Sequence, residues 1–429
     1  MDNLSPKQFV KNIPGITSRT ESGLGITVLL LIFGTISALK GLNLHVDVTA
    51  SYFYYSDFRF GFILRGLVGQ LFSPILAALP QSSHNGLMIA WHFATLATLL
   101  IVLSRFAARM VVATGRASVL AMAVLLFCSP LIPSLAYFTA APDVLLCLLT
   151  LGIVEATRAR RFVLAWLIFF VGALAHQMMI FIALPVMLLG SFINADRHVP
   201  AMAGSAAVGL AACILILLAP APDERLASRF IEMGISPAEA QVLYKNQLGQ
   251  KSSEMLGVMA DLWRQNFVNG VIAVTYGASA GAVILVTCLL SQGALRRLTE
   301  PLTFRAPSRL TTVLAMLLVL GIGLSPLLVL AFAWDLSRLA VLSTFTAFLV
   351  ADMVLCRGQA QVRLARSRLV TFACGALALV FLGLPFIGLW FGGFLLNTGR
   401  ALVRDPILEI EVIRTIVEGF LEFYSRNGL

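Results

Sequence analysis

From Val46 to Gly69 the sequence reads VDVTASYFYYSDFRFGFILRGLVG, placing two carboxylates (Asp47, Asp57) and two arginines (Arg59, Arg65) among Tyr52, Phe53, Tyr54, Tyr55 and several phenylalanines. Each residue type brings a definite chemistry. A carboxylate can take the proton of an attacking hydroxyl. A guanidinium grips phosphate oxygens with a bidentate fork. An aromatic face suits the apolar side of a sugar ring, with a polar handle on tyrosine. An interfacial aromatic belt accounts for the tyrosines, but not for Asp57-Phe58-Arg59 followed by Arg65 inside an apolar run. Three other places carry comparable groups. Pro142-Asp143 opens a short apolar run, where Asp is a good N-cap. His176 lies at a turn between two apolar runs. Trp334-Asp335-Leu-Ser-Arg338 opens another run, with Asp335 and Arg338 at i, i+3 on one helical face. That pair is either a local cap or a phosphate-facing arginine oriented by a carboxylate.

The elements that must position these groups are membrane helices. The chain has 429 residues, of which 59% are hydrophobic and 12% charged, with a mean hydropathy of +0.90. A soluble domain carries about 25% charged residues, so a cytosolic enzyme, a disordered chain and a secreted disulfide scaffold are excluded. The six cysteines lie in or beside apolar runs without metal-ligand spacing. Runs suited to crossing hydrocarbon cover 24–43, 86–104, 118–138, 143–157, 162–175, 177–193, 201–219, 269–291, 310–333, 337–355 and 369–392. This counts 118–157 as a hairpin turning at Thr139–Asp143 and 162–193 as a hairpin turning at His176-Gln177. The expected fold class is therefore all-α, a polytopic protein of about 11 transmembrane helices (about 10–12).

Charge orients them. With both hairpins and a cytoplasmic amino terminus, the inside segments hold 18 of 31 basic residues and 6 of 21 acids. The formal +10 then divides into +12 inside and −2 outside, as the positive-inside rule requires. Collapsing either hairpin would send the later arginine clusters outside. The basic excess is thus an orientation signal rather than a nucleic-acid signal. On this threading Asp47, Asp57, Arg59, Arg65, Asp143, His176, Asp335 and Arg338 all fall at the outer face, and intramembrane or membrane-edge ionisable groups are candidate functional sites.

The domain reading is a cytoplasmic tail at 1–23, a transmembrane domain at 24–392 and an extracytoplasmic amphipathic carboxy-terminal helix within 393–429. The first outer loop, 44–85, runs into an in-plane juxtamembrane helix. The second, 220–268, is expected to form two short amphipathic helices on the membrane surface. One starts at the capping box Ser236-Pro237-Ala-Glu239, and the other carries Met255, Val258, Met259 and Leu262 at helical spacing.

The chain resembles the bacterial multispanning members of the GT-C glycosyltransferase superfamily. The residues that carry the resemblance are Asp57 to Gly69, the Pro142-Asp143 span start, His176 and Asp335-Leu-Ser-Arg338. It implies an inner (plasma) membrane enzyme that moves a sugar from a polyprenyl-phosphate donor to an envelope glycan or lipid acceptor. An acidic residue of the first outer loop would be the base: Asp57, with Asp47 as the other candidate. Arg59, Arg65 or Arg338 would hold the donor phosphate. Tyr54, Tyr55, Asp143, His176 and Asp335 would position the substrates. The paired Asp-x-Asp motif is absent, because Asp47 and Asp57 stand ten residues apart. Whether a divalent cation such as Mg or Mn takes part stays open, and no nucleic-acid partner is expected. Two rival readings are a polymerase or ligase of lipid-linked saccharides, which leans on arginine and histidine, and a transporter or lipid flippase. The latter predicts inverted repeats and midplane charges, neither of which the sequence shows.

Overall fold

Helix is the only regular structure among the described residues of this computed structural model: 16–46, 53–60, 66–194, 198–218, 223, 225–244, 267–289, 309–331, 336–356 and 367–383. A chain this apolar must satisfy its backbone groups within each segment, and the α-helix does so. In order the helices are α1 (Ile16–Lys40), α2 (Gly66–Ala78), α3 (His84–Thr114), α4 (Ala117–Cys128), α5 (Leu131–Tyr137), α6 (Asp143–Arg158), α7 (Phe162–Ala175) and α8 (Met179–Ile182). Then follow α9 (Leu184–Asn194), α10 (His198–Leu217), α11 (Arg225–Glu232), α12 (Pro237–Leu243), α13 (Phe267–Leu289), α14 (Arg309–Gly323), α15 (Leu336–Leu355) and α16 (Ser367–Gly383). Among the described residues, four helical stretches are long and apolar enough to cross a membrane: Gly23–Lys40, Gln81–Thr114, Ala117–Tyr137 and Val199–Ile216. Seven shorter apolar helices of 10–17 residues accompany them.

The helix breaks have local causes. Pro130 has no N–H to continue α4, and Ser129 before it is extended (φ −66°, ψ 166°). The turn expected at Thr139–Asp143 is present, with Ala140 forced to φ 70°, a backbone state that costs a non-glycine residue about 1–2 kcal/mol. The turn at His176 is equally local: its backbone is extended (φ −166°, ψ 132°), which ends α7. One expectation needs correction. Asp143 is not the N-cap of its helix; Pro142 occupies that position, with no side-chain cap bond. Asp143 sits inside the first turn, where its charge still favours the positive end of the helix dipole. The helix expected from Pro237 is found as α12, whereas α11 was not foreseen. The helix expected around Met255–Leu262 and the one within 393–429 lie outside the described residues.

The main core interleaves α3 to α9 with α13 to α16, and Phe106, Phe127, Phe169, Phe345 and Phe348 are fully buried there. Small residues set its closest approach. Gly277 of α13 faces Ala340, Gly281 faces Thr344, and the Gly281 N–H donates to Thr344 Oγ1 at 3.1 Å. The rising register on both helices makes this pair parallel, and close backbone packing of this kind is the usual bond between helices in lipid.

The bundle has two chemically distinct ends. At one, Lys40 Nζ donates to the Phe381 and Leu382 carbonyls (2.7 and 2.9 Å), neutralising the carboxyl end of α16. Beside it, Asn43 donates to the Tyr137 carbonyl at 3.1 Å and Thr139 donates to the Asn43 carbonyl. At the other end, Arg158 pairs with Asp352 and Glu155, Arg109 pairs with Glu155, and both guanidiniums lie over the Phe106 ring. A second apolar core caps the Lys40 end. It joins Val46, Phe53, Tyr54 and Tyr55 to Val68, Phe72 and Leu76 of α2, to Met88, Ala140 and Ala175, and to Leu226, Phe230, Ile235 and Ala240 of the second loop.

Candidate functional site

The second core is where the expected site residues meet. Its framework is α2, an apolar 13-residue helix interrupted by Pro74. The segment 53–60 lies directly on it, and Gly69 is the reason it can. A Cβ at Gly69 would sit 1.8 Å from the Ser56 carbonyl oxygen, so only glycine admits the loop backbone there. Gln70 pins the same segment by accepting from the Phe58 N–H at 3.3 Å.

This docking buries Asp57 completely while leaving the Arg59 side chain 59% exposed. Arg59 Nε donates to both carboxylate oxygens (2.9 and 3.0 Å) and Nη2 to Oδ2 (2.5 Å), while the Arg59 backbone N–H donates to Oδ1 (3.0 Å). The same Nη2 reaches Ser73 Oγ of α2 at 2.5 Å. Burial works against the Asp57 charge, but the Arg59 hydrogen bonds outweigh it and hold the carboxyl below its ordinary 3.8. Asp57 is therefore an ionised carboxylate covered by one partly exposed guanidinium, not an open base.

On the neighbouring face of α2, Phe72 makes edge contacts with Tyr54 (5.0 Å) and with Trp91 of α3 (5.2 Å). Tyr54 and Trp91, with Phe53, wall a small cleft whose other sides are His92, Thr95 and the Ala140–Pro142 turn. Asp143 follows that turn and is buried (2% exposed). His176, also buried, sets its ring 5.5 Å from Phe53, and its Nδ1 accepts from the Met178 N–H at 3.1 Å. Burial pushes the Tyr54 phenol well up, so it stays protonated and serves as a hydrogen-bonding group rather than a base. Burial raises Tyr55 as well, offset in part by the charge of Arg229 on α11.

Of the residues expected from sequence, the fold gathers Tyr54, Tyr55, Asp57, Arg59, Asp143 and His176 around one apolar cap. Asp47, Arg65 and Asp335 lie outside the described residues, as does the side chain of Arg338. Three groups were missed. His84 bridges to the Leu76 and Leu79 carbonyls (2.9 and 3.3 Å), capping α2, and faces Tyr55. Arg229 brings a half-buried guanidinium from the second loop, paired with Glu232. His92 lines the cleft. His92 sits in an apolar stretch where a titratable ring is costly, and that was the available signal for it; His84 lies in the polar run Gln81–Asn85, which gave none. Among the described residues no three His, Cys, Asp or Glu side chains converge to hold a metal ion. Both Asp57 oxygens accept from Arg59. No family model matches the chain, and searches of curated proteins and of solved structures found no similar protein.

Proposed function

We propose that this chain is a polytopic membrane glycosyltransferase that uses a lipid-phosphate sugar donor at the extracytoplasmic face, in the manner the GT-C resemblance implies. The observation that carries the reading is the Asp57–Arg59 pair, docked on α2 beside an aromatic-walled cleft at one end of an apolar helical bundle. The pair supplies both charges the reaction needs. Arg59 is exposed enough to leave Asp57 and turn to the donor phosphate, where its fork stabilises the departing oxyanion. Release of Arg59 uncovers the Asp57 carboxylate, which takes the proton of the acceptor hydroxyl as that oxygen attacks the anomeric carbon. The carbon–oxygen bond to the lipid phosphate breaks as the new glycosidic bond forms, with inversion. No step is routed through a metal.

Geometry supports the eleven-span threading that puts this end outside. The contacts of Asn43 with Tyr137 and of Arg158 with Asp352 join residues that it assigns to the same side, whereas Lys40 reaches Phe381 inside the run 369–392. Helix α7 has 14 residues, about 21 Å of rise against a hydrocarbon core of about 30 Å. Arg160 and Arg161 hold its amino end at the inner interface. On that threading the deficit falls at its outer end, where the backbone turns at His176.

Three results are expected. Cells lacking the chain should lose one lipid-linked glycan by mass spectrometry, and an unchanged profile would remove the reading. In a background with the half-buried Cys213 and Cys356 replaced by Ser, an impermeant maleimide should label Ser236→Cys from outside but not Arg160→Cys, since both positions are exposed. Labelling of Arg160→Cys from outside would invert the topology. Finally, Gly69→Ala should cut transfer more than about tenfold by lifting Asp57 off α2. Gly86→Ala, with open space around its Cβ, should be silent.

A further inference from the structure

Helix α2 turns one face to the cap and leaves the other uncovered. Val68, Phe72 and Leu76 are buried in the second core. On the other side Leu71 (63% exposed), Ile75 (47%) and Leu79 recur at i, i+4, i+8, with Pro74 and Ala78 exposed between them. No residue from Gly66 to Pro80 is charged, and the one polar side chain on the exposed face, Gln70, is tied to the Phe58 N–H. A contiguous apolar face of this kind marks a surface that something covers.

Two neighbouring helices fix the depth of that face. Phe72 packs on Trp91 of α3, and α2 also packs against α7, whose last residue, Ala175, shares the second core with it. Along α3 the apolar stretch runs between Asn85 and Arg105, 20 residues apart. That is about 30 Å of rise, the thickness of a hydrocarbon core. Trp91 stands 14 residues from Arg105, about 21 Å, and so about 9 Å inside the outer limit. Along α7 the distance from Arg161 to Ala175 is again 14 residues, about 21 Å. The room left above α7 matches one helix of about 10 Å diameter. The irregular backbone at 56–57 obeys the same constraint. Non-helical backbone at membrane depth survives only where protein covers it, and Phe53 to Asp57 are all buried.

We infer that α2 is an intramembrane helix, seated on the short helix α7 within the outer leaflet, with Leu71, Ile75 and Leu79 against lipid acyl chains. The inference rests on the membrane threading above and not on glycosyl transfer. A helix lying on the membrane surface keeps a charged face for water. Helix α2 has none, because its second face carries the cap. The consequence reaches the site. Ser73 of α2 holds Arg59, and Gly69 seats the Asp57 segment, so the pair is held at the edge of the hydrocarbon, beside lipid headgroups rather than out in water.

The test is spin labelling of the full chain, with Cys213 and Cys356 replaced by Ser, in vesicles of palmitoyl-oleoyl phosphatidylcholine. Single nitroxides are attached at Leu71→Cys, Ile75→Cys, Leu167→Cys of α7 and Ser236→Cys, all exposed positions where a label displaces no packed side chain. Oxygen concentrates in hydrocarbon and a water-soluble nickel chelate stays out of it, so their relaxing effects together report depth. The labels at Leu71→Cys and Ile75→Cys should respond strongly to oxygen and at least about fivefold less to the chelate than Ser236→Cys, since the chelate does not enter the apolar core. Their depth should fall between those of Ser236→Cys and Leu167→Cys. Chelate access equal to that of Ser236→Cys would put α2 in water and overturn the inference. Protection from both reagents would also overturn it, marking the face as covered by protein, whether a second copy or another segment of this chain. The readout involves no sugar transfer, so the transferase reading can fail while this placement stands, and the reverse.

Discussion

Asp57→Asn should lower sugar transfer by about 10²–10⁴-fold, the usual share of a positioned acid–base group, while the protein still accumulates in the membrane. The substitution keeps the shape of the side chain, but an amide cannot take the acceptor proton. It also weakens the hold on Arg59, which then has only one acceptor oxygen where it had two. Arg59→Lys separates the two roles. Lysine keeps the charge and loses the fork, so it should reduce transfer less than Asp57→Asn and raise the apparent KM for the donor. The pH profile adds a second check. The Asp57 carboxyl is held below 3.8 in the folded chain. The stability this pair contributes is thus present above the unfolded carboxylate value and is lost only as pH falls through the lower folded value. A loss of kcat/KM between pH 4 and 7, which reports the free enzyme with Arg59 on Asp57, therefore belongs to another group. If Asp57→Asn retains near-normal transfer and Asp47→Asn does too, the acidic-base mechanism is wrong.

The sequence was most informative where hydrocarbon constrains it. Apolar runs located the long helices because a buried backbone must bond within its own segment, and the turns at Thr139–Asp143 and His176 followed from interruptions in those runs. It was less informative about breaks within a run. Pro130 splits α4 from α5 although hydropathy passes through it unchanged. The reading of Asp143 as a cap failed because any residue at a helix start looks like a cap until the backbone fixes which one comes first. The site was half legible. Asp57 and Arg59 stood out because charges beside aromatic residues and an apolar run are rare. Their mutual pairing did not, since i, i+2 residues face each other only when the chain leaves helix, as it does over 56–57. His92 was invisible as a site residue because its partners, Tyr54 and the Ala140–Pro142 turn, come from remote segments that only the second apolar core brings together. Arg229 was overlooked for the same reason: α11 acquires its place by burying Leu226 and Phe230 against the first loop.

The largest stability effect is expected at the opposite end of the bundle. Asp352 of α15 is 2% exposed and its carboxylate is paired with Arg158, whose side chain is 36% exposed. Removing the arginine leaves a buried carboxylate without its cation, which typically costs about 3–5 kcal/mol. The partial exposure of Arg158 and the nearby Arg109 place Arg158→Met at the lower end of that range. Replacing both charges should recover most of the loss, because a desolvated ion pair gains little over apolar packing of similar volume. Arg158→Met should therefore lower the unfolding temperature in detergent by several degrees, and Arg158→Met with Asp352→Leu should restore it. Transfer per folded molecule should stay within about twofold in all of these variants, because the pair ties α6 to α15 at the end away from Asp57. A single substitution that leaves stability unchanged would show that water reaches Asp352. A double substitution as unstable as the single one would show that the pair fixes the register of the two helices rather than neutralising a charge. The distinction bears on the site, because α6 carries Asp143 at its other end, and a slip of one turn at Arg158 would move that carboxylate about 5 Å along the axis.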